Sequence, residues 1–115
     1  MVKLSLGGIG AGYLYLTRGQ SFNVNVEFDY KGKPQVLTFG LSMRHDTFST
    51  DPWHIVGKPT GSVEGATDWK SLTTVMSYTV PSEVVNGDQN IRMRITTGDG
   101  IEEYSDILVN CIYIS

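Results

Sequence analysis

The sequence predicts a single-domain, all-β protein built as an antiparallel β-sandwich of about seven or eight strands. Three observations carry that expectation. Several segments alternate apolar and polar residues with the period of two that puts one strand face in a core and the other in water. Turn-forming Gly, Pro and Asn-Gly sequences separate these segments at short intervals. No segment shows the 3.6-residue apolar spacing of a helix, and a parallel sheet needs helical crossovers.

In chain order, Val2, Leu4 and Leu6 suit a first short strand, and Tyr13 to Leu16 a second. The strongest signal is Phe22-Asn-Val24-Asn-Val26-Glu-Phe28-Asp29, which alternates without exception. Tyr30-Lys-Gly-Lys-Pro34 then reads as a turn, because Gly32 tolerates unusual dihedrals and Pro34 lacks a pairing N–H. A strand follows from about Val36 to Met43, with Leu37, Phe39, Leu41 and Met43 on one face. The two strands are expected to form a hairpin.

Residues 44–68 change character. Pro52, Pro59 and several glycines occur with little periodicity, apart from a short strand candidate near Gly61 to Val63. A long loop is expected here, and long loops in compact domains often carry function. Trp69 to Val80 is strand-like, with Leu72, Thr74, Met76, Tyr78 and Val80 sharing a face. Pro81 to Asp88 crosses over, and Asn86-Gly87 marks a turn. Gln89 to Thr96 alternates again, placing Ile91, Met93 and Ile95 inward and Arg92 and Arg94 outward. Thr97-Gly-Asp-Gly100 is a tight turn. The last strand, about Ile107 to Ile114, is apolar on both faces except at Asn110, as befits a central or covered strand.

The stretch Asn90-Ile-Arg-Met-Arg-Ile-Thr-Thr-Gly-Asp-Gly-Ile-Glu-Glu-Tyr-Ser-Asp106 resembles the last hairpin of fibronectin-type and related immunoglobulin-like domains. There, an alternating Arg-containing strand turns through Gly and returns past a Tyr-Ser pair. The resemblance implies an immunoglobulin-like sandwich, with a jelly-roll-like one as the alternative, and implies nothing about function.

Composition narrows the partners. Nine basic against twelve acidic residues give a net charge of −3, a poor basis for nucleic-acid binding, whose affinity rests on phosphate neutralisation. No apolar run approaches a membrane helix, and four glycines between Gly7 and Gly12 break any signal-peptide core. The expected setting is a cytoplasmic protein, an excised module, or a virion component made inside a host cell. The single cysteine, Cys111, cannot form an intrachain disulfide and reads as a small buried hydrophobe rather than a nucleophile.

Gly8-Ile-Gly10-Ala-Gly12-Tyr13 misses the dinucleotide fingerprint, because Tyr13 stands where its third glycine belongs, so a bulged strand or link is expected. His45, Asp46, Asp51 and His54 gather four metal-capable side chains, but their spacing matches no recurrent zinc pattern, and no metal or other cofactor is expected. Glu27 with Asp29, and Glu102 with Glu103, read as solvated charges rather than a hydrolytic pair. No catalytic residue is assigned, and the chain is expected not to be an enzyme.

Aromatic residues are the remaining candidates for partner or glycan binding: Trp53 and the adjacent His54 in the long loop, Trp69 at a strand start, and Tyr13 with Tyr15 on one face. Trp69 is expected mainly in the core, and Trp53 divides evenly between core and surface. The favoured role is a non-catalytic structural or interaction module. It would act as a subunit of a larger assembly such as a phage or virus particle, through a protein partner or self-association. A carbohydrate-binding module with exposed Trp and Tyr platforms is the alternative.

Overall fold

A computed structural model describes residues 3–45 and 52–115. The described residues form ten strands and no helix: β1 (Lys3–Gly10), β2 (Leu14–Leu16), β3 (Ser21–Gly32), β4 (Gln35–His45), β5 (His54–Gly57), β6 (Thr60–Val63), β7 (Ala66–Thr79), β8 (Gly87–Thr97), β9 (Glu102–Tyr104) and β10 (Leu108–Ile114). They build two facing sheets. The smaller has the order β1-β3-β7; the larger runs β2-β10-β8-β4-β5, with β6 also on β4 and β9 also on β8.

The alternating segments meet across the middle. Phe22, Val24, Val26, Phe28 and Tyr30 from β3 face Leu37, Phe39, Leu41 and Met43 from β4, with Ile91, Met93 and Ile95 from β8 beside them. Each such side chain contributes about 1.5–3 kcal/mol on full burial.

The expected hairpin between the Phe22–Asp29 and Val36–Met43 segments is not formed. β3 pairs with β1 and β7, whereas β4 pairs with β5, β6 and β8, so Tyr30 to Pro34 carries the chain from one sheet to the other. The reason is physical. Alternation fixes which face of a strand is apolar but not whether its neighbour lies beside it or opposite it. Here both apolar faces point at one another, and the Phe28 and Phe39 rings meet edge to face at 5.7 Å. Tyr30, expected in the turn, is instead fully buried, with its hydroxyl donating to the Lys33 carbonyl across the crossing.

Residues 44–68, expected as a long loop, contain β5, β6 and the start of β7. β6 pairs with Gln35–Thr38 and β5 with Leu41–Met43, so the two short strands share one edge of β4. Glycines let this edge close over the core. A Cβ at Gly61 would come within 3.2 Å of Met76 Cε, and one at Gly57 within 3.2 Å of Tyr78 Cδ1.

The glycine-rich start is a bulged strand. Leu6 pairs with Phe28 and Gly8 with Glu27, leaving Gly7 as the extra residue. The chain then leaves the smaller sheet through Gly12, whose φ is +69°, and β2 joins the larger sheet parallel to β10. β10 is therefore interior to its sheet, flanked by β2 and β8, as its two apolar faces imply. β9 and β10 both return along β8, divided at Ser105, whose amide and hydroxyl bond the Met93 carbonyl and amide at 2.9 Å each.

One buried polar contact has a pH consequence. The Tyr78 hydroxyl donates to the Phe39 carbonyl at 2.9 Å, and burial pushes its pKa up. The unfolded phenol ionises near about 10. Stability from this group is thus fully present below that pH and falls as pH rises above it, because the folded state holds its proton longer. Tyr78→Phe is expected to cost about 1 kcal/mol at neutral pH and to flatten the alkaline loss of stability. Denaturant midpoints measured from neutral to strongly alkaline pH check both effects.

Candidate interaction surface

The outward face of the larger sheet carries most of the candidate residues, in two groups. The first lies at the β2 edge. Leu14 and Leu16 turn toward the interior, so period-two geometry sends Tyr13 and Tyr15 outward, where they are 88% and 81% exposed. In the parallel register Tyr15 sits beside Tyr113 of β10, with ring centroids 6.0 Å apart and planes tilted by 52°. Tyr13, Tyr15 and Tyr113 together with Asp88 and Cys111 line a shallow concavity of about 390 Å³. Its floor is largely aromatic, with one carboxylate at the rim.

The second group lies across β8, β4 and β5. Arg92 and Arg94 project outward from β8, as their alternation requires. The guanidinium carbons of Arg44 and Arg92 each lie 4.6 Å from the centroid of the Trp53 ring, and that of Arg92 also lies 5.2 Å from Tyr104. Such cation–π stacking holds the guanidinium planes while leaving their edge N–H groups free to donate. Trp53 is therefore neither a core plug nor a free platform: it is half-buried under arginines.

The structure separates the two tryptophans. Trp69 stands on β7 of the smaller sheet and is 47% exposed, not buried as expected, whereas Trp53 precedes β5 of the larger sheet. The stacking of Arg44 and Arg92 on Trp53 has no counterpart in the sequence-based expectations. The signal lay in the outward Arg92, which reaches the Trp53 ring once β8 and β5 lie on either side of β4.

His45 and His54 go to different surroundings. His45 is buried at the end of β4, where a Cβ on Gly87 would meet its Nε2 at 2.6 Å, and His54 is half-buried on β5. Asp46 and Asp51 lie outside the described residues. Among the described residues no group of three or more His, Cys, Asp and Glu is placed to hold a metal ion. Cys111 is half-buried on the outward face of β10, and burial raises its thiol pKa, which keeps it protonated. Asp29 accepts a hydrogen bond from Ser71 at 2.7 Å on the exposed face of the smaller sheet, one of several cross-strand polar pairs there that include Ser77 with Asn23 at 2.8 Å. Glu102 faces Arg94 at 3.8 Å.

The fold and these surfaces define an all-β sandwich with an aromatic and cationic outer face. No protein-family model and no curated protein matches the chain. Among solved structures it is similar to a β-glucosidase from Listeria innocua in complex with isofagomine, at 13% identity and a TM-score of 0.49, over 100% of this chain and 17% of that one. It is also similar to Spo0M, a sporulation control protein from Bacillus subtilis, at 13% identity and a TM-score of 0.43, over 99% of this chain and 48% of that one. The chain thus spans less than half of either protein, and likeness at these scores carries no functional argument.

Proposed function

We propose that this chain is a non-catalytic structural or interaction module that works as a subunit of a larger assembly, a phage or virus particle being one such setting, and contacts its neighbour through the tyrosine edge. The observation that carries the reading is the exposure of Tyr13 and Tyr15, at 88% and 81%, immediately before and within an edge strand of only three residues. A tyrosine covered in a contact removes roughly 150–250 Å² from water, which at about 25 cal/mol/Å² is a gross gain near 4–6 kcal/mol. Association costs about 4–15 kcal/mol in lost freedom and ordering. One copy's tyrosine pair offsets little more than that, whereas a two-fold contact brings both pairs together and doubles the gain. A second copy of the chain is therefore the neighbour this edge suits best. The immunoglobulin-like assignment within the sandwich class belongs to the same proposal. It is favoured by the order β1-β3-β7 opposite β10-β8-β4-β5, which corresponds to strands A, B and E facing G, F, C and C′.

The Tyr13→Ala, Tyr15→Ala double variant is expected to stay folded and to weaken self-association at least a hundredfold, about 2.7 kcal/mol, read by light scattering on a sizing column. Unchanged mass across a concentration series in parent and variant alike would refute the reading. One observation favours a second reading: Asp88 beside the three tyrosines would supply a hydroxyl acceptor to a sugar ring stacked there. A monomeric parent that binds glycans and loses them in the same double variant would establish it instead.

A further inference from the structure

The arginine group encloses a second, independent site. Between β4, β5 and β8 the outer face dips into a cavity of about 150 Å³. Gly40 and Ser42 form its floor, Lys58, Arg92 and Arg94 supply three cations, and Ile55 and Tyr104 form apolar walls. Gly40 is what makes the hollow: it has no side chain to fill the space, and the Lys58 Cγ lies 3.8 Å from where a Cβ would stand.

Among the described residues no acceptor lies within hydrogen-bonding distance of the Arg92 guanidinium or the Lys58 ammonium. Arg94 has only Glu102, at 3.8 Å, an ion pair too long for a hydrogen bond and exposed on both sides. The Arg92 plane is held by Trp53 and Tyr104, so a fork of N–H donors is set before any ligand arrives. This concentration of positive charge sits on a chain whose net charge is −3.

We infer that this hollow binds a carboxylate presented by an acidic segment of a partner protein. A carboxylate matches the bidentate geometry of Arg92 and Arg94, which a rounder anion uses less well. A protein segment, rather than a free small anion, fits the walls: Ile55 and Tyr104 are 58% and 50% exposed, and a free anion would leave both in water. The site does not depend on the tyrosine edge, so either can fail without the other.

The test is a titration of the ¹⁵N-labelled chain, following arginine Nε–Hε signals, with three probes: N-acetyl-hexaglutamate amide, its hexaglutamine counterpart, and inorganic phosphate. The hexaglutamate peptide should shift the Arg92 and Arg94 signals saturably, and hexaglutamine should not. Phosphate should bind at least tenfold more weakly than the acidic peptide. R92Q should weaken hexaglutamate binding at least tenfold, with R94Q as the second variant if R92Q does not fold. Arg18 is the internal control, since its Nε and Nη2 already donate to the Val84 carbonyl at 2.9 and 2.5 Å. Equal shifts at Arg18, or undiminished binding by folded R92Q and R94Q, would overturn the proposal. Phosphate binding as tightly as the peptide would overturn the protein-partner form in favour of a free-anion site.

Discussion

Val24→Asp is expected to leave no stably folded domain. Val24 is 0% exposed at the centre of β3, with Val26 beside it at 0% and, among the described residues, no cation in the core cluster around it. A carboxylate there must be buried without a partner, taken up as the neutral acid, or carried into water by unfolding the strand. The first two routes cost at least about 4 kcal/mol, against a whole-domain stability of about 5–15 kcal/mol. Circular dichroism through a urea titration reads the outcome. A variant that unfolds cooperatively at the parent midpoint would mean that Val24 faces water and that the register of β3 is off by one.

Phe39→Ala is expected to cost about 3–5 kcal/mol, seen as a lower denaturant midpoint with an unchanged slope. Phe39 is 1% exposed and is hemmed in from both sheets: the Phe28 ring lies 5.7 Å away, and its Cε2 would stand 3.4 Å from a Cβ on Gly61. The crowding leaves little room for collapse into the hole. A double-mutant cycle with Phe28→Ala adds a specific check, because rings meeting across the core should couple by about 0.5–1.5 kcal/mol. Additive losses would show that β3 and β4 do not face each other there.

Face assignments were legible, since Phe22 to Phe28, Leu37 to Met43 and Ile91 to Ile95 are buried on the sides their alternation indicates. Partner assignments were not. A two-residue period is local, whereas the choice between lateral pairing and facing across the core depends on the whole sandwich, which is why the β3–β4 hairpin was expected and is absent. β5 escaped notice and β6 showed only as a short candidate near Gly61 to Val63, because each has four residues, contains a glycine, and lacks alternation. Their existence depends on pairing with β4 rather than on their own composition.

The candidate surfaces divide along the same line. Outward Tyr13 and Tyr15 follow from the inward Leu14 and Leu16 and could be read from four consecutive residues. The hollow at Gly40 could not, because Lys58, Arg92 and Tyr104 converge only after three strands are brought together. Trp69 shows the converse error. Large aromatics often plug sandwich ends, but among the described strands β7 has no partner beyond it in its sheet, and the Trp69 side chain stays 47% exposed.

The proposed assembly has the β2 edge covered by a second copy of the chain. Hydrogen exchange followed peptide by peptide across a protein concentration series tests it most directly. Amides of Tyr13–Leu16 and the neighbouring Ile112–Ile114 are expected to slow as concentration rises, while those of β7, an edge of the other sheet, are not. Exchange at Tyr13–Leu16 that is the same at every concentration, or protection that grows along β7 instead, would contradict it.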